Sequence, residues 1–172
     1  MKLTDNRFVG ISFYDAVVFF VAVGASMMIS TAWGQTAQSI NPNVTCSAKV
    51  QVDDTLRFSP PKLEVPMACE QFTVLLSHVG RLPKVASPRN WVLTTQAAAD
   101  AVARDAELAG AANGWVKPDD EQVLAASSVI GSGETVRVQF EVAKLQPEVQ
   151  YTYLSTIPGF SPVLRGTLTV VP

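Results

Sequence analysis

The chain has 172 residues and a formal net charge of −2, with 48% hydrophobic and only 16% charged residues. That length fits one domain of ordinary size plus a tail or anchor. So small a charge leaves no basic footprint for nucleic acid and no acidic field for a polycationic partner. A single histidine, His78, excludes a His-rich metal site or a histidine dyad.

The apolar excess is concentrated at the N-terminus. Lys2 and Arg7 precede a run from Ala16 to Trp33 that carries no charge. At about 1.5 Å per residue the run spans roughly 27 Å, close to the hydrocarbon thickness of a bilayer. Residues 1–34 read as a signal peptide cut after Ala32-Trp33-Gly34, or as an uncleaved signal anchor crossing the membrane through residues 8–33. In both cases the positive charges hold the N-terminus in the cytoplasm and the folded part is exported. Residues 35–44 are polar and read as a linker. Asn43-Val44-Thr45 matches a glycosylation pattern that is common by chance and is discounted.

Beyond the linker the chain reads as short strands. Cys46 to Val52 alternates polar and apolar residues. Leu56 to Phe58 and Lys62 to Val65 flank Ser59-Pro60-Pro61, and Gln71 to His78 is a long alternating run. Val85 to Asn90 contains Pro88 and reads as a loop, followed by a strand over Asn90 to Thr95. The Ala-rich, Pro-free stretch from Thr95 to Gly110 has helical composition, with Thr94 or Thr95 as the N-cap. Glu121 to Ile130, Glu134 to Val142, Gln150 to Ile157 and Thr167 to Val171 read as further strands. Gly131-Ser132-Gly133 and Pro158-Gly159 mark turns. Many short strands with one inserted helix predict an all-β Greek-key barrel or sandwich over residues 45–172.

Several blocks resemble the azurin family of blue-copper proteins, the cupredoxins, and occur in that family's order. They are Leu76-Ser77-His78 with Gly80-Arg81-Leu82-Pro83-Lys84, Asn90-Trp91-Val92-Leu93-Thr94, Val116-Lys117-Pro118-Asp119-Asp120, Ile130-Gly131-Ser132-Gly133-Glu134, and the C-terminal stretch from Tyr151 to Val170. The resemblance implies a disulfide between Cys46 and Cys69, as an even cysteine pair in an exported protein also suggests. In the chain-entropy picture such a bridge contributes roughly 3 kcal/mol. It further implies that His78 is a non-ligand, hydrogen-bonded core histidine and that Trp91 is a core tryptophan. Trp115 is expected at the surface or half-buried.

The departures concern the metal. The positions matching the family's copper ligands are Arg89, Ser155, Phe160 and Leu164, with the weak backbone carbonyl ligand falling at Pro88. A blue-copper centre needs imidazole nitrogens, a thiolate and a soft axial group. A guanidinium, an alcohol, a phenyl ring and an aliphatic chain are none of these, so no cofactor is expected. Three roles are open for Arg89: docking a partner's carboxylate, plugging the former site through Ser155 or nearby carbonyls, or pointing to water. Phe160 either extends an apolar patch or folds into the vacated space. Ser155 as a nucleophile would need a base, and the resemblance does not place His78 beside it.

The sequence thus predicts a copper-free, non-enzymatic protein, exported to the periplasm and anchored by its N-terminus. It would act as a structural or interaction subunit of a membrane complex. Leu56, Leu82, Arg89, Ile157, Pro158, Phe160, Pro162 and Val163 would form the face that meets protein partners. The alternative is a periplasmic copper protein of the electron-transfer type with an altered site.

Overall fold

The structure is a computed structural model that describes residues 44–172. The expected signal or anchor over residues 1–34 and the linker up to residue 43 lie outside the described residues. Among the described residues no helix is long and apolar enough to cross a membrane.

Alternating side chains build two facing sheets. One holds β1 (Ser47–Val52), β2 (Phe58–Ser59), β4 (Gln71–His78) and β7 (Thr135–Glu141), in the order β2-β1-β4-β7. The other holds β3 (Lys62–Pro66), β5 (Val92–Thr95), β6 (Ala125–Ala126), β8 (Tyr151–Leu154) and β9 (Arg165–Val171), in the order β3-β9-β8-β5-β6. The β1–β4 and β3–β9 pairs are parallel and the others antiparallel. This is the all-β sandwich with one helix that the strand pattern predicts.

In β4 the period of two decides which side chains face inward. Phe72, Val74, Leu76 and His78 are buried, while Ser77 turns outward to Thr135. The core closes around Trp91, whose ring stacks on Phe140 at 6.4 Å and on Tyr153 at 5.5 Å. The Tyr153 hydroxyl donates to the carbonyl of Pro60 at 2.7 Å. Its ring crosses so close to Gly166 that a side chain there would collide with it, which is why this position of β9 is a glycine. Cys46 and Cys69 form the expected disulfide.

Several predicted elements are shorter in the structure. Leu56 is not in a strand: its φ of 61° places it in a left-handed turn, and β2 starts at Phe58. The strand expected over Glu121 to Ile130 reduces to β6 and one bridge between Ile130 and Arg89. The Asp120 side chain holds a turn by accepting from the Gln122 amide, and Ser127 accepts from the Trp91 amide where a ladder bond would otherwise form. The strand expected over Gln150 to Ile157 ends at Leu154.

The helix α1 (Ala99–Ala109) begins later than its composition suggests. Thr94 is buried in β5, and the hydroxyl of Thr95 accepts from the Ala98 amide, stabilising the turn before the helix rather than capping it. Ala99, Val102, Ala103 and Ala106 form its buried stripe. An ion pair between Asp100 and Arg165 at 2.7 Å links α1 to β9.

Candidate functional site

Three connections meet at one end of the sandwich: the turn after β1, the segment between β4 and β5, and the loop from β8 to β9. Hydrogen bonds between them fix that end.

Arg89 stands at the middle. Its backbone is clamped by reciprocal bonds with Ile130, at 2.9 and 2.7 Å. Its side chain is 2% exposed. Nη1 donates to the Pro88 carbonyl at 2.8 Å and Nη2 to the Asp53 carbonyl at 3.3 Å. The guanidinium carbon lies 4.4 Å from the centre of the Phe160 ring. Nε has no hydrogen-bond partner among the described residues. No carboxylate there forms an ion pair with Arg89. Burial pulls its pKa down, against the through-space effect of Asp54 and Asp53. Of the three roles the sequence left open, the structure shows the plug, with carbonyls rather than Ser155 as partners.

Asn90 joins the second connection to the third. Its side-chain nitrogen donates to the Thr156 hydroxyl at 2.8 Å and to the Gly114 carbonyl at 3.1 Å. Its side-chain oxygen accepts from the Ser155 hydroxyl at 3.1 Å and from the Thr156 amide at 2.9 Å. Thr156 donates onward to the carbonyl of Trp115, a half-buried residue. Ser155 therefore gives its hydrogen to an amide oxygen and has no imidazole base.

Asp54 joins the first connection to the second. Its carboxylate accepts from the Arg81 amide at 2.7 Å and from the Ser87 hydroxyl at 3.1 Å. The amide bond holds its pKa below the usual carboxylate range. His78, 1% exposed, places Nε2 3.3 Å from the Ser87 hydroxyl. Since Ser87 gives its one hydrogen to Asp54, Nε2 of His78 is the donor in that pair. Burial, and after it the charge of Arg89, push the His78 pKa down. Ser87 and His78 are both buried, so neither the hydroxyl nor the imidazole of this trio is open to a substrate.

Asp54, Ser87 and Asn90 are the site residues that sequence reasoning missed. Asn90 was within reach, because it opens the Asn-Trp pair. Asp54 and Ser87 carry no local signal, since their bonds cross 27 and 33 residues.

The positions that match the family's copper ligands are linked in the structure, Arg89 to Phe160 and Leu164 to both Phe160 and Ser155. Leu164 donates its amide to the Phe160 carbonyl and accepts at its own carbonyl from the Ser155 amide. Leu164 and Ser155 are fully buried and Phe160 is half-buried. The predicted interaction face needs correction in two places. Arg89 and Ile157 are buried: the Arg89 side chain folds onto carbonyls, and Ile157, an apolar residue, is only 4% exposed. Leu82, at 48%, and Val163, at 58%, are exposed, as are Pro158 and Pro162, while Leu56 and Phe160 are half-covered. Beside them Val163 and Val79 line a groove of about 560 Å³ with Phe58, Arg57 and Arg165.

The donor set fails the test for blue copper. None of the four side chains offers an imidazole, thiolate or thioether, and the two carbonyls that face the site accept from a guanidinium. Among the described residues no group of three or more His, Cys, Asp or Glu side chains could hold a metal ion.

The two-sheet topology, the inserted helix and this meeting of loops define a cupredoxin domain. Residues 44–171 match the family described as "Copper binding proteins, plastocyanin/azurin family", and the chain belongs to that family. It is 42% identical over 125 residues to azurin of Pseudomonas aeruginosa, covering 73% of this chain and 84% of that protein. It is 40% identical over 126 residues to azurin of Bordetella pertussis, with the same coverage. The solved structure of the Az-iso2 azurin of Methylomonas sp. strain J superposes with a TM-score of 0.72 and 37% identity. That match covers 75% of this chain and all of the other. The general role of the family is electron transfer rather than enzyme catalysis.

Proposed function

We propose that this chain is a copper-free member of the family, exported and held at the membrane, where it serves as an interaction subunit of a membrane complex. The observation that carries this reading is the buried guanidinium of Arg89, seated on the Pro88 and Asp53 carbonyls at the end where the family keeps its metal. A permanently charged group in that position opposes a second cation. The disulfide fits an oxidising compartment such as the periplasm. The uncharged run from Ala16 to Trp33 supports an anchor.

The docking face in this reading consists of Leu82, Pro158, Pro162 and Val163, with the edges of Leu56 and Phe160. Exposed contiguous apolar surface marks an interface. Arg89 acts from beneath, by holding Phe160 in place.

The test is purification of the full chain from its native membranes in mild detergent, after growth with added copper. The reading expects full-length mass, no intense blue absorption when Cu(II) is added, and stoichiometric partner subunits that are lost in Leu82→Asp and Val163→Asp. A blue band would overturn the copper-free reading in favour of electron transfer through an altered site. Partners retained by both variants would overturn the docking face.

A further inference from the structure

We infer that the end of the barrel which holds a metal in the family is here a cage for a planar organic cation, and that Arg89 is its tethered ligand. Its walls come from three connections. Asp53 in the turn after β1 gives one carbonyl, Pro88 before β5 gives another, and Phe160 in the loop after β8 gives a ring face. Carbonyl oxygens are partial negative charges. The face of an aromatic ring is the negative pole of its quadrupole, and it attracts cations within about 6 Å. A guanidinium is flat, weakly hydrated and able to donate in its plane while it stacks through its face, so one group meets both kinds of wall. Copper would need nitrogen and sulfur donors that this cage lacks.

A buried cation without a carboxylate is ordinarily a destabilising feature. Here two carbonyls and one ring, with the through-space pull of Asp54 and Asp53, offset part of the loss of hydration, which still holds the Arg89 pKa down. A cage of this kind recognises the guanidinium by its charge and shape. An arginine whose stem merely fills space would show no such selectivity. The two accounts separate on removal of the side chain, because an emptied cage should accept guanidinium ion from solution.

The experiment uses the full chain in mild detergent and measures thermal unfolding of the wild type and of Arg89→Ala, Arg89→Lys and Arg89→Met. Each is measured in tens of millimolar guanidinium chloride and in sodium chloride of equal ionic strength. Arg89→Ala is expected to unfold roughly 5–10 °C below the wild type. Guanidinium should raise the midpoint of Arg89→Ala relative to sodium, by mass action on the vacated cage, and should not raise that of the wild type. Arg89→Lys, which keeps a cation for the ring and one carbonyl, should be more stable than Arg89→Met. An Arg89→Ala protein indifferent to guanidinium, or an Arg89→Met protein as stable as the wild type, would overturn the cage. If Arg89→Ala does not fold, the order of the lysine and methionine variants decides: methionine equal to or above lysine refutes it. The cage inference rests on the copper-free reading, but these midpoints involve neither partner nor copper. They stand or fall apart from the docking and absorption tests.

Discussion

Arg89, Asn90 and Trp91 are consecutive and each is at most 2% exposed, yet they belong to two different regions. Trp91 points into the core, between Phe140 and Tyr153, where shape and apolar area decide what fits. Arg89 and Asn90 point into the end of the sandwich, where most of their polar atoms, Nε of Arg89 excepted, are held by particular partners. In the core Trp91 is fully buried, as the resemblance implied. At the end, positions 89, 155, 160 and 164 carry no imidazole, thiolate or thioether, and side-chain hydrogen bonds tie the connections together. The contrast shows that neighbouring residues can answer to separate demands, apolar packing on one side and polar pairing on the other. The sandwich is held mainly by packing between its sheets and by a disulfide, and the end loops add Leu164 and part of Phe160 to that core while their polar groups need partners of their own.

The comparison breaks most clearly at Trp91. Trp91→Ala is expected to cost about 3–5 kcal/mol, the usual penalty for emptying a large aromatic site, and urea denaturation would measure it. A loss below about 1 kcal/mol would mean that the core does not depend on this ring. Asn90→Ala should cost somewhat less, about 2–3 kcal/mol. It leaves the buried Ser155 hydroxyl and Thr156 amide without an acceptor but opens a smaller cavity. Amide exchange should then accelerate at Thr156 and leave β4 unchanged. Equal acceleration in both would mean that the end and the core unfold as one unit.

The smallest effect separates the regions by pH. His78 is buried with a lowered pKa, so below about pH 6.5 the unfolded chain takes up a proton that the folded chain resists. Its contribution to stability is therefore complete above that range. It is lost as pH falls from about 6.5 through the lowered folded value, at no more than about 1.4 kcal/mol per pH unit. Thermal midpoints between pH 7.5 and 5 should fall in the wild type and flatten in His78→Gln. An unchanged slope in the variant would place the titration elsewhere. The carboxylate of Asp54 acts lower on the scale: its depressed pKa gives stability that is present above about pH 4 and lost below it.

The fold was legible because its signals are local. Alternation in Gln71–His78 gives the buried row of β4, and it also turns His78 inward and Ser77 outward. The Ala-rich, Pro-free composition of the run from Thr95 to Gly110 gives the helix, whose buried stripe is Ala99, Val102, Ala103 and Ala106. Errors arose where one strand depends on another. β6 is two residues long and pairs only with Val92 and Leu93 of β5, and nothing in the run from Glu121 to Ile130 records that limit. Leu56 reads as apolar and extended, yet it sits in a left-handed turn beside Asp53 and Asp54.

At the site, the amino acids at 89, 155, 160 and 164 suffice to exclude imidazole, thiolate and thioether, because chemical type belongs to the residue itself. Whether Arg89 would meet water, a partner or its own chain was not in the sequence. That outcome required the carbonyl of Asp53, 36 residues away, to reach Nη2, and the ring of Phe160 to lie across the guanidinium. The sequence alone determined the donor chemistry and the strand periodicity, which are properties of side chains and their immediate spacing. The tertiary structure decided which donors meet which acceptors, because a buried charge takes its partners from whatever chain segments the two sheets bring to the same end.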